Sequence, residues 1–146
     1  MYEFARWAFL LGALPFLLLG VAHLRHTPMR VTDRKGLSPR DPALAEAMTK
    51  SSPMLTSATD IWRAWVGFNI SHSAGAILFA LFVLMIGRSA ESFAGQAMVV
   101  LPLSVAVSAS YLWMAVRFWF RIPVIGIGVS LTAFSISWLT YLSFRL

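Results

Sequence analysis

Four apolar runs, at 4–24, 62–86, 96–118 and 122–144, dominate the chain. Each is long enough to cross a bilayer core, which takes ~20 helical residues to cover ~30 Å at 1.5 Å per residue. Hydrocarbon offers no water to the backbone amides, so a spanning segment must hydrogen-bond to itself as a helix or close into a barrel. Barrel strands need only about 9–11 residues and alternate in polarity; these runs are longer and apolar throughout. The expectation is an all-α integral membrane four-helix bundle, built as one transmembrane domain over residues 1–146.

Composition supports that class. Hydrophobic residues make up 58% of the 146 residues and charged residues 12%, about half of the ~25% usual in soluble domains. A soluble core of this size cannot hide so much apolar surface, so the excess faces lipid. With no cysteine in the chain, thiolate catalysis, iron–sulfur clusters and cysteine zinc sites are all excluded.

The net charge of +6 would raise the question of nucleic acid in a soluble protein. Here the basic residues lie between the apolar runs, which makes them topology markers and argues against a nucleic-acid partner. Arg6, Arg88 and Arg145 fall on the side of the termini. Arg25, Arg30, Arg34, Lys35, Arg40, Lys50, Arg63, Arg117 and Arg121 fall on the other. Nine against three places the first and third connections in the cytoplasm and both termini outside. Trp62, Trp65, Trp113, Phe118 and Trp119 gather on the nine-charge side as an interfacial aromatic belt. Gly20-Val21-Ala22 loosely imitates a signal-peptide cleavage site. The apolar run is too long for that, however, and Glu3 offsets Arg6, so the first run is expected to be retained as a span.

The first connection, 25–61, is the only sizeable polar segment. Ser38-Pro39-Arg40-Asp41 reads as a helix start, with Ser at N-cap, Pro at N1 and Asp at N3. Leu44 and Met48 follow on one face, and Ser51-Ser52-Pro53 is a stop, so a short amphipathic helix is expected here. The third connection is only Phe118-Trp119-Phe120 between Arg117 and Arg121, which forces spans three and four into an antiparallel pair.

Polar groups inside a span are costly and are therefore functional candidates. Span two carries the densest set, Gly67-Phe68-Asn69-Ile70-Ser71-His72-Ser73. His72 lies ten residues past Trp62, or ~15 Å along the axis, at mid-bilayer depth. Trp65, Asn69, His72 and Ala76 form one stripe, while Gly67, Ser71 and Gly75 form a neighbouring small-residue stripe suited to helix packing. His72 has two readings: a neutral imidazole that locks helix packing through Asn69 or a facing hydroxyl, or a functional group. Span three offers Ser104, Ser108, Ser110 and Tyr111 at similar depth, and span four Thr132, Ser135 and Ser137. No Asp or Glu lies deep in any span, which disfavours carboxylate proton relays and divalent-ion transport.

His23 and His26, three apart at the end of span one, are weak metal candidates that need a further ligand, and otherwise read as interfacial polar residues. A haem on His72 would need His23 or a non-histidine second ligand. Asp60 and Arg63 read as a charge pair at the start of span two, where Arg63 is also placed to clamp a lipid phosphate. Walker, nucleophile-elbow, zincin and dinucleotide motifs are all absent.

The W-x-x-W-x-G-F-N-x-S-H-S segment from Trp62 to Ser73, with the upstream Ser-Pro-Arg-Asp-Pro stretch, resembles a bacterial family of small four-span membrane proteins. The resemblance implies a bacterial inner (cytoplasmic) membrane location and no particular activity. At the level of fold the chain is also similar to four-span sterol-isomerase and lipid-binding membrane proteins, which build a mid-membrane pocket from aromatic and polar side chains. It departs from them in having no intramembrane acidic residue.

The expected function is binding of a hydrophobic small molecule or lipid in a pocket lined by Trp65, Asn69, His72, Ser108 and Tyr111. Two alternatives stand beside it. One is a membrane enzyme, isomerase-like, with His72 as general acid/base. The other is an accessory subunit that packs on a larger membrane protein or on further copies of itself.

Overall fold

The computed structural model describes residues 2–144; Arg145, counted above on the terminal side, lies outside them. The described chain is all-α, with five helices: α1 (Tyr2–His26), α2 (Pro42–Lys50), α3 (Ile61–Gly87), α4 (Ala90–Phe118) and α5 (Arg121–Leu142). Four of them, α1, α3, α4 and α5, are long and apolar enough to cross a membrane, as the sequence predicts of an integral membrane protein.

Helix ends follow capping chemistry, which hydropathy does not register. α4 starts at Ala90, six residues before the apolar run at 96, because Ser89 caps it: its hydroxyl accepts from the Ser92 amide at 3.1 Å. α2 corrects the expected cap at Ser38. The N-cap is Asp41, whose Oδ1 accepts from the Ala43 amide at 2.9 Å, and the N1 proline is Pro42. A residue before proline is pushed out of the α region, so Asp41 stays extended (φ −85, ψ 120) and no helix can run through it from Pro39. The buried face of α2 is also shifted. Ala45 is buried and Met48 half-buried, whereas Leu44 is exposed.

The chain divides into two compact units, Met1–Leu19 with Ala76–Leu146, and Gly20–Gly75. The first is a helical bundle made of the first part of α1, the last part of α3, and the α4–α5 hairpin. Buried residues on α4 (Phe93, Ala97, Val100, Leu101, Ser104, Ser108, Ala115) and on α5 (Ile127, Ser130, Phe134, Ser137, Tyr141) mostly recur at steps of three and four, with Leu101 widening the α4 face. That average of about 3.5 is the seam of left-handed helix packing. Small residues on the seams make room for rings. Phe9 meets Phe93 at 5.3 Å and Phe134 at 5.7 Å, and Phe16 meets Phe79 at 4.8 Å and Tyr111 at 5.2 Å, all centroid to centroid. A Cβ at Gly12 would stand 2.6 Å from the Phe134 ring, so only glycine lets that ring lie against α1.

Three polar ties add direction to this packing. Ser137 Oγ donates to the Ala5 carbonyl at 2.7 Å, joining α5 to α1 in a buried setting. The Tyr2 hydroxyl donates to the Ala90 carbonyl at 2.9 Å. Arg6 Nη1 donates to the Gly87 carbonyl at 3.0 Å, while its Nε and Nη2 hold Glu3. A cation at the C-terminal end of α3 suits both the helix dipole and the carbonyls that end leaves unpaired.

The second unit holds the end of α1, the connection with α2, and the start of α3. The connection is built around Asp33. Its Oδ2 accepts from the Met29 and Arg30 amides, both at 3.0 Å, and its carbonyl accepts from Ser38 Oγ at 2.7 Å. Ser38 Oγ in turn accepts from the Lys35 amide at 3.0 Å. The Ile61 amide donates to the Ser51 carbonyl at 2.8 Å, closing 51–61 into a loop with Met54 and Leu55 fully exposed.

The amide of Arg30, ahead of that of Met29 and the charges of Lys35 and Arg30, holds the Asp33 carboxyl below its ordinary value. A depressed folded-state value means the stabilisation is complete above the unfolded value and is lost as pH falls through the depressed one. Hydrogen-exchange protection of the Met29 and Arg30 amides is therefore expected to persist through the ordinary carboxylate range, about pH 4, and to fall only below it. Asp33→Asn should abolish this pH dependence.

Candidate functional site

Within the second unit the structure brings together His23 from α1 with Asn69 and His72 from α3. Asn69 is the pivot. It is buried, and its Nδ2 donates to the Trp65 carbonyl one turn back at 2.7 Å. That bond fixes the orientation of the amide and turns Oδ1 toward His23 Nε2, 2.8 Å away. Oδ1 can only accept, so Nε2 carries the hydrogen and His23 is the donor. The His23 and His72 rings meet edge to face with centroids 5.1 Å apart, and Phe68 lies parallel to His72 at 6.1 Å.

The neighbours hold this cluster in place. Ser73, fully buried, donates to the Asn69 carbonyl at 2.9 Å, and Thr27, also buried, donates to the His23 carbonyl at 2.9 Å. Trp65 packs on Trp62 at 5.4 Å. The seam of α3 in this unit therefore runs through Trp62, Asn69 and Ser73. The neighbouring small-residue stripe takes no part in packing within this chain. Gly67, Ser71 and Gly75 are exposed, and a Cβ at Gly67 would meet nothing within 4 Å.

Each remaining candidate has a definite place. Arg63 is 78% exposed and stays beside Asp60, with its amide donating to Asp60 Oδ1 at 2.8 Å and its Nε 3.5 Å from Oδ2. His26 donates through Nδ1 to the Ala22 carbonyl at 2.7 Å and lies under Gly36, whose Cβ would come within 2.8 Å of the ring. His26 is thus turned to its own helix and its connection, while His23, three residues earlier, is turned to α3. Among the described residues no group of three or more His, Cys, Asp or Glu is placed to hold a metal. Nor does the His23–His72 pair fit a haem between its rings, because they touch edge to face and leave no gap for a porphyrin plane. Ser108 and Tyr111 belong to the other unit. There Ser108 is fully buried, its hydroxyl without a partner among the described residues, and Tyr111 packs edge-on against Phe16.

His23 belongs to the site although its position at the end of α1 does not announce it. A histidine three residues from the end of α1 looks like an interfacial residue, because polar groups are cheap there. The available signal was connectivity: His23 ends one helix and Asn69 lies near the start of the next, so both flank the same connection. Asn69 is eight residues into α3, ~12 Å from its start, but its partner is only three residues from the end of α1. The cluster therefore sits nearer the connection than a count along α3 alone implies.

Chemically the site is an amide and two imidazoles, groups that can donate and accept hydrogen bonds. Comparison with protein-family models, with curated proteins and with solved structures finds no match to this chain.

Interhelical hydrogen bonds in membrane proteins contribute ~0.6 kcal/mol on average and up to ~1.7. A double-mutant cycle of His23→Ala and Asn69→Ala, read by thermal unfolding in detergent, is expected to give a coupling in that range. Additive single effects would mean that the bond contributes nothing to the fold.

Proposed function

We propose that this membrane protein binds a hydrophobic small molecule or lipid that carries one uncharged hydrogen-bonding group, and that the His23–Asn69–His72 cluster recognises that group. The observation that supports it most is the Asn69 amide, buried and fixed by Trp65, which locks His23 in position beside His72. Burying an amide beside two imidazoles is more than helix packing needs, because alanine or serine suffices elsewhere on these seams. A carbonyl or hydroxyl of a ligand would exchange hydrogen bonds with the imidazoles, and Trp65 and Phe68 supply apolar contact area on the same helix. A free carboxylate or phosphate would find no fixed cation within the cluster.

The nine-to-three charge bias supports a topology with the first connection in the cytoplasm and the termini on the opposite side.

The ligand is tested by mass spectrometry of the intact protein released from a mild detergent. The wild-type chain should retain a molecule of defined mass. Asn69→Ala and His72→Ala should retain about tenfold less, the factor expected for one lost, well-placed hydrogen bond of ~1.4 kcal/mol. A wild-type protein that carries nothing, or variants that retain as much as wild type, would remove the cluster from any binding role. Topology is tested with single cysteines in a chain that has none of its own. Thr32→Cys should react with an impermeant maleimide only after the membrane is opened, and Glu91→Cys should react in intact cells.

A further inference from the structure

The second unit contains four carboxylates, and each is already committed. Asp33 accepts from the Met29 and Arg30 amides, and Asp41 from the Ala43 amide. Glu46 pairs with Lys50 at 2.6 Å, and Asp60 holds Arg63. Five cations of the same unit, Arg25, Arg30, Arg34, Lys35 and Arg40, are exposed, and none has a carboxylate within 4.0 Å among the described residues. They occupy sixteen consecutive residues that begin on the last turn of a helix able to cross a membrane.

This stretch is not a loose tail. Asp33 accepts from backbone amides and makes no ion pair with the arginines around it among the described residues, and Ser38 ties Lys35 back to the Asp33 carbonyl. The local anion therefore shapes the turn and leaves its cations unpaired. Guanidinium groups match phosphate oxygens with paired N–H donors. Next to a bilayer, the phosphates in reach are those of lipid headgroups, and anionic lipids attract juxtamembrane Lys and Arg.

We propose that the Asp33-centred turn, through Arg25, Arg30, Arg34, Lys35 and Arg40, is a binding surface for the phosphates of anionic lipid headgroups. The partner is the lipid surface itself. The inference does not use His23, Asn69 or His72 and stands or falls separately from the ligand site.

The test uses the full chain in nanodiscs of phosphatidylglycerol and phosphatidylcholine in equal amounts, with retained lipid counted by mass spectrometry of the released protein. At about 0.1 M salt the retained lipid should favour phosphatidylglycerol by about fivefold or more. At about 1 M salt, where screening shrinks to ~3 Å, the preference should approach parity. The variant Arg30→Gln, Arg34→Gln, Lys35→Gln and Arg40→Gln should show parity at low salt. Asp33→Ala makes the turn more positive but removes the acceptor of the amides that shape it; the preference should drop, whereas a pure charge count would raise it. A wild-type chain without preference, a fourfold variant with the wild-type preference, or a preference that rises in Asp33→Ala would each overturn the proposal. So would equal displacement of phosphatidylglycerol by inorganic phosphate or by soluble polyglutamate, which would assign the surface to a soluble anion or an acidic protein. The salt series needs no substitution, so the proposal remains falsifiable if the fourfold variant does not fold.

Discussion

Hydrocarbon gives no free energy for pressing one apolar helix face against another, because lipid tails solvate leucine as well as leucine does. Two helices in a bilayer stay together through close contact, which maximises dispersion, and through hydrogen bonds that lipid cannot replace. The buried faces of this protein reflect both. Alanine and serine occupy the seams at Ala5, Ala13, Ala76, Ala80, Ala97, Ser104 and Ser137, and phenylalanine rings fill the spaces they leave. Many large aliphatic side chains are on the outside, as at Leu18, Leu78, Val99, Ile125 and Leu139, where lipid is their solvent, while Val83, Ile86, Leu101 and Ile127 are buried.

The same constraint governs the polar residues. Most serine and threonine hydroxyls with a recorded bond donate to a carbonyl three or four residues back in their own helix, as at Ser71, Ser73, Ser104, Ser110 and Thr132. Such bonds satisfy the hydroxyl without tying helices together. Ser137 and His23 behave differently, because their partners are on another helix. Of these two, only the His23–Asn69 bond sits beside a second titratable ring, which is why the functional reading rests on it and not on the serine.

The span helices were legible in the sequence because length and hydropathy alone decide whether a segment can cross hydrocarbon. Their ends were less so. Glu91, Ser92 and Gln96 are polar yet helical, since a helix continues past the hydrocarbon edge until a residue such as Ser89 caps it. The start of α2 depended on recognising that Pro42, not Pro39, is the N1 proline. At the site, Asn69 and His72 stood out as polar residues in an apolar run, but no periodicity within one helix reveals its partner on another. That is why His23 read as an interfacial residue, and why Gly67, Ser71 and Gly75 read as a packing seam although the buried face is the one through Asn69 and Ser73.

The contact between Gly12 and the Phe134 ring has a consequence for how this chain can vary. One volume is shared between a position that has no side chain and a position whose side chain fills the gap. Neither can enlarge alone, because a close-packed interior absorbs even one added methyl poorly. Substitution at the two sites is therefore coupled: a methyl gained at 12 calls for a smaller group at 134. Among related sequences the pair should appear as correlated change, glycine with an aromatic ring or alanine with a short aliphatic chain, and that correlation would record the pairing of α1 with α5 in the alignment itself.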